Sequence, residues 1–309
     1  MGTTMRRVVL TLLAVAALSG TAWGWDDPGH KIVCEMAFRL VKPTTRAEIT
    51  TLIQIDPEFA SFSDACTWPD RPKRRARDHF INVPRNAEGL ASAACPLAES
   101  CILTAIANDL AVLSSASTPA VDRLAALKFL GHWLGDLHAP LHVSFVDDRG
   151  GNDLAVSGEC QGVLHAAWDD CLVLKAVGDD VSAAAGSLIG AITPALSERW
   201  TATAPRDWAN ESFALAKDAR TGYCTQQPGS CALPSGPVTI DAAYIAASTP
   251  VIREQLQKAA CGSHTCWTRH WATEWCIREV MQPLGAGYGF DMTLHGPVLG
   301  RSLRFRADP

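Results

Sequence analysis

The sequence predicts an all-α protein organised as one helical domain. Three observations carry that prediction. Apolar residues recur at helical spacing through most of the chain, no segment shows a convincing period of two, and no internal repeat appears. The 309 residues suffice for one large domain or two small ones. Nearly half of them are hydrophobic, with ordinary Gly and Pro, as in globular proteins.

The chain opens with Arg6 and Arg7, a short apolar run from Val8 to Leu18, and Ala22-Trp23-Gly24. This reads as a secretory signal over residues 1–24, its apolar run being too short to span a bilayer. Cleavage leaves Trp25 as the mature N-terminus. No later segment is long and apolar enough to cross a membrane. The expectation is a monomer without a membrane anchor, secreted or periplasmic. Eleven cysteines fit an oxidising compartment. Four pairs are close in sequence, Cys95/Cys101, Cys160/Cys171, Cys224/Cys231 and Cys261/Cys266, while Cys34, Cys66 and Cys276 remain. Connectivity is not readable from the sequence, and the odd count leaves at least one thiol free or intermolecular. No C-x-x-C pair occurs, which argues against a thiolate zinc site. The formal net charge of −5 becomes −7 without Arg6 and Arg7. Bulk charge therefore excludes a duplex-DNA binder of the usual basic kind. Phosphate binding needs a local positive source, and bound metal is one.

In the mature chain Asp27-Pro28 is a helix start, and Ile32, Val33, Met36, Ala37 and Leu40 give that helix an apolar face. His30 sits in its first turn. Cys34 is read as a disulfide or a buried thiol. A second helix is expected from Thr45 to Ile55. Trp68-Pro69-Asp70 and Asp78-His79-Phe80-Ile81-Asn82 follow, separated by the basic residues Arg71, Lys73, Arg74, Arg75 and Arg77. Such a run is ordinarily a solvated loop. Lying between two candidate ligands, it also fits a place near phosphate.

Helices are expected over Ile102 to Leu113 and Val121 to Leu137. The second carries His132 and Asp136, four residues apart and so on one face. Pro140 ends it, and His142 lies just past the break. This segment alone reads equally well as metal ligands or as a core histidine bonded to an aspartate. Asp147 to Asp153 is a loop. Gly162 to Val177 is helical and carries His165 and Asp169, again four apart. The repetition of one pattern on two helices favours a shared site. Further helices are expected over Val181 to Trp200, Pro205 to Thr221 and Ile240 to Ala260, with ligands projecting inward from several helices.

Collected in order, the motifs are W-x-x-x-G-H (Trp25 to His30), W-x-D (Trp68 to Asp70), H-F-I-N (His79 to Asn82), H-x-x-G-D-x-H-x-P-L-H (His132 to His142), G-G-N (Gly150 to Asn152), H-x-x-W-D (His165 to Asp169) and W-x-x-E-S (Trp208 to Ser212). Over residues 25 to about 258 the chain resembles the zinc-dependent, single-strand-specific type I nucleases, which share a helical fold and a three-zinc cleft with zinc-dependent phospholipase C. The spacing from His142 to His165 fits the nuclease branch better. The resemblance implies that Asp70, His79 and His132 bind one zinc, with Asp136 bridging to another. It gives His142, His165 and Asp169 to the second. The third falls to the amine and carbonyl of Trp25, with His30 and Asp136. Asp70 and Asp136 are the carboxylates placed at the chemistry.

The activity so implied is endonucleolytic hydrolysis of single-stranded DNA and RNA to 5′-phosphates, with 3′-nucleotidase activity. In the family a zinc-held hydroxide attacks phosphorus in line and the third zinc stabilises the leaving 3′ oxyanion. Phe80 lies where the family stacks a base and Asn82 where it bonds the base edge. Asn152 and Lys73 stand as phosphate contacts. Rival readings are a phospholipase C and a non-catalytic exported zinc-binding protein. The chain departs from the family at Asp26, where glycine is usual, at Asn82, where some members have aspartate, and near Lys73, where arginine is frequent. After about Ala260 the likeness fades, leaving residues 261–309 as an unassigned Cys- and Trp-rich tail. His138, His264 and His270 are read as non-ligands, and Asn210-Glu211-Ser212 as part of W-x-x-E-S rather than a glycosylation site.

Overall fold

A computed structural model describes residues 27–90, 95–227 and 230–268. The expected signal segment and Trp25 lie outside the described residues, as do Asp26, Cys276 and His270. The helices are α1 (Asp27–Leu40), α2 (Pro43–Ile53), α3 (Phe62–Ala65), α4 (Ile102–Ser114), α5 (Ala120–Leu137), α6 (Leu164–Ala166), α7 (Leu172–Val177), α8 (Val181–Gly190), α9 (Pro194–Thr201), α10 (Pro205–Ala216) and α11 (Ala242–Thr268). The all-α expectation holds.

Helix α5 is the axis. From Leu124 onward nearly every side chain is buried, because α1, α2, α4, α10 and α11 all pack on it. A helix that is enclosed on every side needs apolar or paired residues all round. Its one buried lysine, Lys128, meets this by pairing with Asp56 at 2.5 Å and lying over the rings of Phe59 and Trp68.

Four disulfides staple the described chain: Cys34–Cys66, Cys95–Cys101, Cys160–Cys171 and Cys224–Cys231. Three were near neighbours in sequence; Cys34–Cys66 joins α1 to the turn after α3 and has no local signature. Cys261 is a buried thiol whose pKa burial pushes up to about 11. The side chain of Cys266 lies outside the described residues.

Gly131 sits against the Cys34–Cys66 bridge. A Cβ there would lie 2.5 Å from Cys66 Sγ, 2.8 Å from Cys34 Sγ and 2.9 Å from Phe62 Cζ. On an open helix Gly→Ala gains about 1 kcal/mol. Here the clash is with rigid covalent atoms, so Gly131→Ala is expected to destabilise the protein by roughly 1–3 kcal/mol. Urea denaturation of the two proteins checks this, and a variant more stable than the wild type would show that the bridge yields.

Several expectations are corrected. Among the described residues six three-residue strands exist where none was expected: β1 (Ile81–Val83), β2 (Val143–Phe145), β3 (Val156–Gly158), β4 (Thr225–Gln227), β5 (Ser230–Ala232) and β6 (Val238–Ile240). They pair β1 with β2 and β3 with β6 in parallel, and β4 with β5 antiparallel. Three residues are too few for alternation to register. The helix expected over Val181 to Trp200 is two, because Pro194 starts α9 and Thr193 caps it by accepting from Leu196 N at 3.2 Å. The helix expected from Pro205 to Thr221 ends at Ala216, and a 3₁₀ turn at Ala219–Thr221 follows. The helix expected over Gly162 to Val177 is α6, a π-helical turn at Ala167–Cys171, and α7. The helix expected over Ile240 to Ala260 is α11, which continues to Thr268. Gly262 is there for close approach, since a Cβ would lie 3.1 Å from two atoms of the Trp208 ring.

Candidate metal centre

Six backbone segments deliver the predicted ligands. His30 comes from the first turn of α1, Asp70 from a 3₁₀ turn at Trp68–Asp70, and His79 from another at Ala76–His79. His132 and Asp136 share one face of α5, and His142 ends a 3₁₀ turn at Pro140–His142. His165 precedes the π-helical turn and Asp169 lies within it, a distortion frequent at functional sites. The β1–β2 register, Ile81↔Val143, brings His79 beside His142.

Among the described residues three buried groups could each hold a metal ion: Asp70, His79 and His132; His142, His165 and Asp169; and His30, His132 and Asp136. His132 belongs to two of them, and Asp136 faces both. Its Oδ1 lies 3.2 Å from His30 Nε2, and its Oδ2 lies 3.1 Å from His79 Nδ1 and 3.3 Å from His132 Nε2. Asp70 closes the first group at 3.5 Å from His132 Nε2 and 3.6 Å from His79 Nδ1. In the second group His165 Nε2 is 3.2 Å and His142 Nε2 3.9 Å from Asp169. Trp25 falls outside the described residues.

Four of the five imidazoles are held by backbone carbonyls. His132 Nδ1 donates to Cys66 O at 2.8 Å, His79 Nε2 to Arg74 O at 2.9 Å, His142 Nδ1 to His79 O at 2.7 Å and His165 Nδ1 to Gly150 O at 2.7 Å. A carbonyl only accepts, so each of these nitrogens carries the hydrogen. In the neutral ring the opposite nitrogen presents a lone pair to the interior. His79 Nδ1 and His132 Nε2 face each other in this way at 3.2 Å, an arrangement that needs a cation between them. One proton would not suffice for the whole cluster. His30 Nδ1 and Nε2, Asp70 Oδ1, Asp136 Oδ1, His142 Nε2 and Asp169 Oδ2 are all buried without a hydrogen-bond partner among the described residues. The nitrogen and oxygen donors, their burial and their orphaned lone pairs fit metal ions.

The electrostatics divide the rings. Burial holds the His79 and His165 rings below the ordinary histidine pKa, and burial with the neighbouring His132 takes His30 down to about 4. These rings are neutral donors at neutral pH. Burial also opposes charge on His142, but Asp136 and Asp169 outweigh it and raise that ring to about 9. Burial opposes charge on Asp136 too, yet His132 and His142 keep its carboxylate well below the usual range.

The expected substrate contacts lie beside the ligands. Phe80 is exposed and Asn82 half-buried on β1. Lys73 reaches within 3.6 Å of Asp70 Oδ1. Asn152 donates through Nδ2 to Arg149 O at 2.7 Å, so its amide also holds the turn of its own loop. W-x-x-E-S supports the end of α5. Ser212 Oγ donates to Leu137 O at 2.6 Å, and Trp208 lies 5.4 Å from the ring of His138. Asn210 accepts from Leu90 N at 3.0 Å and donates to Arg206 O at 3.1 Å, the bonds of a structural asparagine. His138 donates back to Leu134 O and belongs to none of the three groups.

Two supporting networks were not singled out in the sequence. Asp109 on α4 accepts from Arg75 Nη1 at 2.7–2.8 Å and from Trp133 Nε1 at 2.7 Å. It thereby ties the turn carrying His79 to the helix carrying His132, although burial pushes its own carboxyl up to about 6. Asp148 accepts from Arg85 at 2.8 Å, from Gly151 N at 3.2 Å and from the Tyr223 hydroxyl, and so fixes the loop whose Gly150 carbonyl holds His165. No local spacing announces either network.

A helical scaffold that converges five imidazoles and three carboxylates on adjoining buried sets fits a site for several metal ions. Residues 25–261 match the model of the S1/P1 nuclease family, and the chain belongs to that family. It is a hydrolase of phosphodiester bonds. The chain is 27% identical to Endonuclease 3 of Arabidopsis thaliana over 83% of this chain and 92% of that protein. It is 26% identical to Nuclease S1 of Aspergillus oryzae over 82% of this chain and 94% of that protein. To Endonuclease 2 of Arabidopsis thaliana it is 30% identical over 57% of this chain and 66% of that protein.

Proposed function

We propose that this is an exported, zinc-dependent nuclease that cuts single-stranded DNA and RNA to 5′-phosphate products and removes the phosphate of 3′-nucleotides. The facing lone pairs of His79 and His132, within a set of orphaned buried donors, carry the reading. Asp70, His79, His132 and Asp136 would hold one zinc, His142, His165 and Asp169 a second, and Asp136, His30 and the Trp25 terminus a third. Bound zinc supplies an acidified water and neutralises charge on the phosphoryl oxygens. The chain's own residues do the rest. Backbone carbonyls fix each imidazole, Asp136 spans two sets, and Lys73 meets a phosphate oxygen. Phe80 stacks an unpaired base while Asn82 bonds its edge. The disulfides support export, and no helix among the described residues is long and apolar enough to cross a membrane. Parallel assays on denatured DNA, RNA and a phosphocholine lipid test the reading; hydrolysis of the lipid alone would overturn it.

Stacking on Phe80 needs a base that has left its pair. Duplex DNA is therefore expected to be cut far more slowly than the same sequence denatured. Loss of one base–aromatic stack is worth about 1–3 kcal/mol. Phe80→Ala should accordingly raise KM on single strands by roughly tenfold with zinc content unchanged. Equal rates on duplex and denatured DNA, or an unchanged KM, would remove Phe80 from substrate binding.

A further inference from the structure

Among the described residues, six large hydrophobic side chains are exposed, and three of them line one cleft: Phe80 (36% exposed), Leu97 (52%) and Val146 (46%). Single apolar side chains on a surface need no explanation, whereas a cluster marks a binding site. The cleft, about 390 Å³, has the size of a small-ligand site.

Its walls are anchored. Val146 follows β2 and donates its N–H to Val83 O at 3.0 Å, so it is fixed to the strand that carries Asn82. Leu97 sits in the short segment closed by the Cys95–Cys101 disulfide. The cleft is also cationic. Arg149 lines it, although paired with Asp153 at 2.5 Å. Arg77 lines it as well, is exposed, and takes part in no ion pair among the described residues. Apolar walls beside an exposed guanidinium complement a nucleic-acid strand, with bases on the walls and a phosphate on the cation. An apolar protein partner would leave Arg77 unmatched.

We infer that Leu97 and Val146 form a second base subsite, beyond Phe80, which takes the next unpaired base of the same single strand while Arg77 meets the intervening phosphate. This inference rests on the nuclease reading and extends it. The second subsite discriminates an oligonucleotide from a mononucleotide, because a 3′-nucleotide has no second base to place there.

The test compares KM for an oligothymidylate of about 12 nucleotides with KM for thymidine 3′-phosphate. The proteins are the zinc-loaded wild type, Leu97→Ser, Val146→Ser, the double variant and Leu97→Trp. Both side chains are solvent-exposed, and unchanged melting curves verify the fold. The double variant is expected to raise KM for the oligonucleotide about tenfold, with KM for thymidine 3′-phosphate within about twofold. Leu97→Trp, which offers a larger stacking face, is expected to lower the oligonucleotide KM. An unchanged oligonucleotide KM in the double variant overturns the subsite. So does an equal rise on both substrates, which would place these residues at the first base. A wild type that cleaves neither substrate overturns the nuclease reading itself, and the subsite with it.

Discussion

Asp136→Asn is expected to reduce hydrolysis of single-stranded DNA by about 10²–10³-fold, the loss of several kcal/mol of charge stabilisation. The reason is geometric. The two oxygens of Asp136 face different ligand sets, Oδ1 toward His30 at 3.2 Å and Oδ2 toward His79 at 3.1 Å and His132 at 3.3 Å. An asparagine keeps one acceptor and turns an NH₂ toward one set or the other. That set loses its anion and gains a donor facing lone pairs already committed to metal. The variant should retain metal at His142, His165 and Asp169 and lose it at the two sets that the oxygens of Asp136 face. Metal analysis alongside the rate checks both parts. Full metal content with full activity would show that Asp136 does not bridge.

Adding one residue before Trp25 is expected to have an effect of similar size through a different atom. Trp25 is two residues before Asp27, and two residues span at most about 7 Å. Asp27 is itself tied to Arg71, beside Asp70, at 2.7 Å. The proposed third metal draws on that terminus and on His30, whose two ring nitrogens are buried without a hydrogen-bond partner among the described residues. An added residue converts the amine to an amide, a poor zinc donor, and crowds the metal beside His30. The third metal should weaken or leave while the two sets of internal side chains survive. With leaving-group stabilisation lost, the fall should be mainly in kcat. A cytoplasmically expressed form retaining one extra residue, compared with the exported protein, makes the measurement. Equal zinc stoichiometry and equal kcat would reduce the site to two metals.

Two candidate ligand pairs were legible in the sequence because their spacing is local. His132/Asp136 and His165/Asp169 each sit one helical turn apart, and Pro140 marks the break before His142. The groups that aim those ligands were not legible. Asp109 meets Arg75 and Trp133 across long stretches of chain, Asp148 meets Tyr223, and Cys66 offers both a disulfide to Cys34 and a carbonyl to His132. Such contacts exist only once the chain has closed. Local signals also misled where one residue had two meanings. The helix expected to end at Ala260 runs on through Gly262, which admits the Trp208 ring, whereas Pro194 inside an apolar run divides a helix.

The most direct measurement is the zinc content of the purified mature protein, taken together with its activity on denatured DNA before and after chelation. The three buried ligand groups call for three zinc ions per chain and for activity that disappears with chelation and returns with zinc. A mature protein that holds no zinc, or that cuts denatured DNA at an undiminished rate once its metal is removed, would contradict a metal centre at these residues.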